Sequence, residues 1–226
     1  MNSGSVIPTN DMDGTKGQHI YKTVVEAGGC SGQPDTLDCL RGLDYETFLN
    51  ATNSVPAIVS YSAVDLSYLP RPDGKTLTQS PYVVAEAGKY SKVPIIIGDQ
   101  EDEGTLFALL TSNISTIDDV VEYLDYFYFY NLSTDLTREF VSFYDDDETN
   151  GAPFGTGDQN RIYPQFKRVA AILGDLVFTL TRRAALQHLE KITPDLPTWS
   201  YLSSYDKGTP TIGTMHASDL VQVVFV

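Results

Sequence analysis

Positive charge is scarce in this sequence: 15 Lys and Arg stand against 30 Asp and Glu, for a net charge of −15. Nucleic acids and anionic membrane surfaces are held by basic patches, so neither is an expected partner. No apolar run reaches the roughly 20 residues of a membrane span, and no integral membrane contact is expected. Metal and nucleotide signatures are missing as well. There is no H-E-x-x-H, no cysteine cluster, no Walker loop and no dinucleotide fingerprint, because Gly155-Thr156-Gly157 lacks a third glycine. Asp99, Glu101 and Glu103 before Gly104 imitate the start of a calcium loop. The bidentate glutamate such a loop needs is replaced by Leu110. No metal and no cofactor are therefore expected. No G-x-S-x-G occurs, so no serine nucleophile announces itself. Internal repeats and low-complexity tracts are also missing.

What is present suits a globular domain. At 226 residues and 42% hydrophobic content, the chain can bury a sizeable core. Its two cysteines, Cys30 and Cys39, would be free thiols in a reducing compartment. Three N-x-S/T sequons, at Asn50, Asn113 and Asn131, argue instead for a secreted, extracellular glycoprotein with a Cys30–Cys39 bridge. Met1-Asn2-Ser3-Gly4-Ser5 has neither the basic start nor the apolar core of a signal peptide, which places the true N-terminus of a secreted protein further upstream. The apolar end Val221–Val226 is likewise unusual for a natural terminus.

Hydrophobic periodicity predicts a helix over Gln18–Ala27, ended by Gly28-Gly29, and another over Thr36–Leu49. Residues 54–79 read as irregular. Ser80-Pro81 reads as the N-cap and first turn of a helix running to about Gly88. A β-branched strand, Val93–Ile97, follows at once and stops at Gly98. Thr116 is placed to cap an aromatic-rich helix, another helix spans Thr134–Tyr144, and the acidic stretch Asp145–Asp158 reads as a solvated loop. A long helix over Gln165–His188 turns Phe166, Val169, Ile172, Leu173, Leu176, Val177 and Leu180 inward, with Arg182 and Arg183 near its end. Thr198–Leu202 reads as a strand. The alternation of helix and strand is that of an α/β protein.

Two stretches could carry chemistry. After the strand comes Gly98-Asp99-Gln100-Glu101-Asp102-Glu103-Gly104-Thr105. Ligands gather at the carboxyl ends of parallel strands, so these carboxylates form either a site or the caps of a helix over Thr105–Leu110. Of three histidines, His19 and His188 lie on predicted helices, whereas His216 sits in a loop after the second strand. Glu103 and His216 thus follow two strands, acid before base, in the order of the last two members of an α/β-hydrolase triad.

Several stretches together resemble the type-B carboxylesterase/lipase family, in particular secreted fungal lipases of the Candida rugosa and Geotrichum kind. They are Met1–Ser5, Ala27–Cys30 with Leu37–Arg41, Arg71-Pro72-Asp73-Gly74, Gly98–Thr105, Pro164–Leu173 and Gly213–His216. The resemblance implies a partial α/β-hydrolase fold, read as one domain over 1–226 truncated at both ends. It implies hydrolysis of carboxylic esters, acylglycerols among them, with a lipid interface in the full-length enzyme. Glu103 would be the catalytic acid and His216 the base. Ser3 would hydrogen-bond the acid, and Leu106 and Phe107 would line the acyl pocket. The nucleophile serine and the oxyanion-hole glycines of the family pattern fall upstream of Met1, so the chain alone is expected to be nearly inactive. A non-catalytic, cholinesterase-like binding module is the alternative, although such modules usually lose triad residues.

Overall fold

The computed structural model describes residues 1–129 and 131–224. Phe225 and Val226 of the apolar terminal stretch lie outside the described residues. Two compact units emerge: Pro8–Val84, and Met1–Ile7 together with Ala85–Val226.

In Pro8–Val84, helix α1 (Thr15–Ala27) begins earlier than its apolar periodicity predicts and buries Val24 and Val25. The predicted helix over Thr36–Leu49 is in fact two, α2 (Thr36–Arg41) and α3 (Tyr45–Thr52). Asp44 is the reason. Its carboxylate accepts the Thr47 N–H at 3.0 Å and starts a new helix where periodicity alone would continue the old one. Cys30 and Cys39 form a disulfide. A bridge closing so short a loop is worth about 2–4 kcal/mol. Cys30 joins Val24, Val25, Leu40, Ala51 and Val55 in this unit's own core. Helix α4 (Pro81–Glu86) stops short of Gly88. The Ser80 hydroxyl before it accepts the Thr9 N–H at 2.9 Å.

The larger unit is built on two parallel strands, β1 (Ile95–Gln100) and β2 (Thr198–Ser203), with Ile95 opposite Thr198. On the other side of β1, Ser3 N–H donates to Gly98 O at 2.8 Å and Gly98 N–H to Met1 O at 3.2 Å. β1 does not stop at Gly98 as predicted but runs on through Asp99 and Gln100. Gly98 is there to make room: a Cβ on it would lie 2.4 Å from the Tyr201 ring of the neighbouring strand.

After β1 come the short helix α5 (Thr105–Ala108), then α6 (Ile117–Phe127) and α7 (Thr134–Val141), which pack on each other. Thr116 and Asp119 cap α6 reciprocally. Helix α8 (Phe166–Gly174) is buried at every residue, Lys167 and Arg168 included. Charges survive there only when paired. The Lys167 ammonium donates to Thr156 Oγ1 at 2.8 Å and Gly157 O at 2.6 Å, and the Arg168 guanidinium donates to Asp145 O at 2.5 Å. The acidic loop expected to be merely solvated is therefore tied through its backbone to this helix.

The long predicted helix is interrupted. A π turn over Asp175–Thr179 separates α8 from α9 (Leu180–Ile192). Its extra residue per turn shifts the inward face. Phe178 is buried, Leu176 and Val177 are half-buried, and Leu180, predicted inward, is 41% exposed. Helix α10 (Ser218–Val224), which the sequence reading left unassigned, follows the His216 loop.

Burial pushes the Asp175 carboxyl above its ordinary range, only partly offset by the Tyr144 hydroxyl that donates to it at 2.9 Å. The folded state therefore holds this proton more tightly than the unfolded chain. The stability it contributes is complete below the ordinary carboxylate value near 4 and is lost as pH rises through the folded value. Asp175→Asn keeps an acceptor for Tyr144 and should flatten that decline. Urea midpoints measured from about pH 4 upwards for both chains test this; identical slopes would refute it.

Candidate active site

The three consecutive carboxylates after β1 have three separate fates. Glu101 pairs with Lys207 at 2.7 Å near the surface. Asp102 is fully buried and accepts two backbone donors, Phe154 N–H at 2.8 Å and Thr214 N–H at 2.9 Å. Neither caps α5, whose N-cap is Gly104, so the helix-cap reading of these carboxylates is corrected. Glu103 turns inward and meets His216: Nδ1 of the imidazole lies 2.7 Å from Glu103 Oε2. The other oxygen, Oε1, accepts the Gln100 N–H at 2.7 Å. The Glu103 side chain is 1% exposed and that of His216 is 26% exposed.

An ionised carboxylate can only accept, so the Glu103 contact places the proton on His216 Nδ1 and leaves Nε2 as the free basic nitrogen. The loops bearing the two residues are stapled together. Asp102 N–H donates to Thr214 O at 3.0 Å, and Thr105 Oγ1 donates to Ile212 O at 2.6 Å. Asp102 thus fixes the histidine loop from the acid loop. Nothing in the sequence distinguishes it from its acidic neighbours, because its partners lie 52 and 112 residues away.

Asp99, read from sequence as part of the loop, is buried at the end of β1 and forms an ion pair with Arg182 of α9 at 3.0 Å. Burial raises its carboxyl, and the guanidinium works against that rise. Arg182 also donates to Ser200 of β2. It is therefore not simply a cation placed for the helix end.

The resemblance places the Ser3 hydroxyl on the acid. That hydroxyl is buried but makes no hydrogen bond among the described residues, and Glu103 is bonded to Gln100 and His216 instead. The Ser3 backbone is at φ +47° and is held by the pairing of its N–H with Gly98, and its hydroxyl does not bond the acid. Phe107 is buried and lies against the His216 ring, with centroids 5.3 Å apart; Leu106 beside it is half-buried. His19 is exposed on α1 and His188 is half-buried on α9. Asn50, Asn113 and Asn131 are all exposed. Phe178, which the sequence reading passed over, also lies on the His216 ring, at 4.9 Å. Its neighbours Leu176 and Val177 are apolar as well, so apolar periodicity does not single it out.

A carboxylate and a histidine thus meet beyond the carboxyl ends of two adjacent parallel strands, the place where α/β sheets gather their ligands. The carboxylesterase family model matches residues 1–226, and the chain belongs to that family. It is 56% identical to Secreted lipase 1 of Botryotinia fuckeliana, over 99% of this chain and 39% of the relative. It is 54% identical to Secreted triacylglycerol lipase LIP1 of Gibberella zeae, over 100% of this chain and 38% of the relative. The crystal structure of Aspergillus niger EstA superposes with a TM-score of 0.73 at 25% identity, covering 97% of this chain and 40% of that one. The chain thus spans about two-fifths of the length of the relatives it matches.

Proposed function

We propose that this chain is the acid-and-base portion of a secreted serine ester hydrolase acting on acylglycerols or related carboxylic esters. The observation that carries the reading is the 2.7 Å contact between His216 Nδ1 and the buried Glu103. In this mechanism a serine attacks the ester carbonyl. His216 Nε2 accepts the serine proton and returns it to the departing alcohol. Glu103 holds the imidazole tautomer and stabilises the imidazolium. The serine and the oxyanion donors come from sequence outside these 226 residues, since none of them forms a G-x-S-x-G. Leu106 and Phe107 would face the acyl chain, and the extended enzyme would work at a lipid–water interface. Support comes from family membership and from relatives whose names carry the words secreted and lipase.

Sequencing the transcript upstream of the Met1 codon tests the proposal. A G-x-S-x-G there supports it; another residue in the serine's place makes the protein a binding module. The 226-residue chain alone should give no burst of p-nitrophenol from a p-nitrophenyl ester and no covalent label from an organophosphate.

Secretion makes a further prediction. Asn50, Asn113 and Asn131 should each carry an N-glycan when the chain passes through a secretory pathway. Endoglycosidase treatment would then lower its mass in three steps, each removed by one Asn→Gln substitution. An unshifted mass would count against extracellular export.

A further inference from the structure

One hydrogen bond does not fix an imidazole. Held only at Nδ1, the ring can still swing about the bond to Glu103 and carry Nε2 away from any reacting group. Two aromatic rings prevent this. Phe107 and Phe178 lie 5.3 Å and 4.9 Å from the His216 ring, tilted by 44° and 39°, and stack on each other at 6.0 Å with an interplanar angle of 11°. Both phenylalanines are buried, so neither ring can move aside without opening the core.

The two rings reach His216 by different routes. Phe107 comes from α5, four residues after the acid itself. Phe178 comes from the π turn. The buried positions of α8 end at Leu173 and Gly174, and the next is Phe178. The turn has its own supports. Tyr144 OH donates to Asp175, its first residue, at 2.9 Å, and Thr181 Oγ1 donates to Val177 O at 2.6 Å and Phe178 O at 3.1 Å.

We propose that Phe178, presented by the π turn Asp175–Thr179, is a positioning residue that locks the His216 imidazole against Phe107 and onto Glu103. The proposal rests on the reading of His216 as the catalytic base, but it concerns the ring's confinement and is tested without turnover. Diethyl pyrocarbonate acylates exposed, uncharged imidazole, and peptide mass spectrometry can follow all three histidines in one sample of the 226-residue chain. His188, on the helix that continues from the π turn, reports general loosening of the same unit.

Phe178→Leu should raise the His216 acylation rate relative to His188 by roughly five-fold, the scale of one lost aromatic contact. Phe178→Tyr, which retains the ring, should keep the parent ratio. Tyr144→Phe, which removes the prop under the π turn, should raise the ratio by a smaller factor. If Phe178→Leu loosens the whole unit, His188 accelerates with it, and Tyr144→Phe then decides by the same ratio. A ratio that stays at the parent value in both variants overturns the proposal. An upstream sequence without a serine nucleophile would overturn the hydrolase reading while leaving this ratio to be judged by itself.

Discussion

Glu103→Gln, in the enzyme that joins this chain to its serine-bearing segment, should lower kcat about ten-thousand-fold with KM and thermal midpoint little changed, the size of the corresponding acid-to-amide change in a well-studied triad. The geometry says why so conservative a change is costly. Gln100 N–H donates to Glu103 Oε1 and would hold the amide oxygen there. The amide nitrogen would then face His216 Nδ1, where a carboxylate oxygen now sits at 2.7 Å. Two donors cannot face each other, so the imidazole would shift its proton to Nε2, the nitrogen needed as base. Steady-state kinetics on a soluble ester checks this. A variant within ten-fold of the parent would remove Glu103 from the catalytic role and leave the contact as structural.

Gly104→Ala should be the most damaging single methyl in the larger unit. A Cβ there would sit 1.9 Å from the carbonyl oxygen of Ala170 and 2.6 Å from the amide nitrogen of Gly174. Both are backbone atoms of a helix buried on all sides, so no side-chain rotation relieves the overlap. The start of α5 would be forced away from α8, carrying Glu103 with it. Overpacking a tight core usually costs about 1–3 kcal/mol, and a clash with backbone belongs at or above the top of that range. The expected readout is a urea midpoint lowered by an amount equivalent to about 3 kcal/mol or more, or a chain that fails to fold. A midpoint within experimental error of the parent would refute it.

Local chemistry was the readable part of this sequence. Thr116 and Asp119 announce the start of α6 because a cap is decided within three residues. Glu103 and His216 could be paired on order alone, since each follows a predicted strand. What escaped reading depended on partners far along the chain. The buried Asp102 is explained by Phe154 and Thr214, and Asp99 by Arg182. The division of the predicted Thr36–Leu49 helix is within reach of the sequence, because Asp44 is a good N-cap residue, but apolar periodicity runs through it unbroken. The π turn was concealed for a similar reason. Apolar residues at Leu176, Val177 and Leu180 satisfy a regular helix, so the apolar pattern runs straight through the turn without marking it.

The separation between Glu103 and His216 also bears on how the molecule forms. They are 113 residues apart, and the strands that deliver them are parallel and lie nearly as far apart along the chain. Closing a loop of that length costs on the order of 4 kcal/mol from its length dependence alone, before any contact repays it. Contacts of this kind slow folding. Helices α6 and α7, adjacent in sequence, can form and pair early; the staple between Asp102 and Thr214 can close only once both strands are in register. The site is then among the last parts of the chain to be completed during folding, and a partly folded molecule holds an acid and a base that have yet to meet.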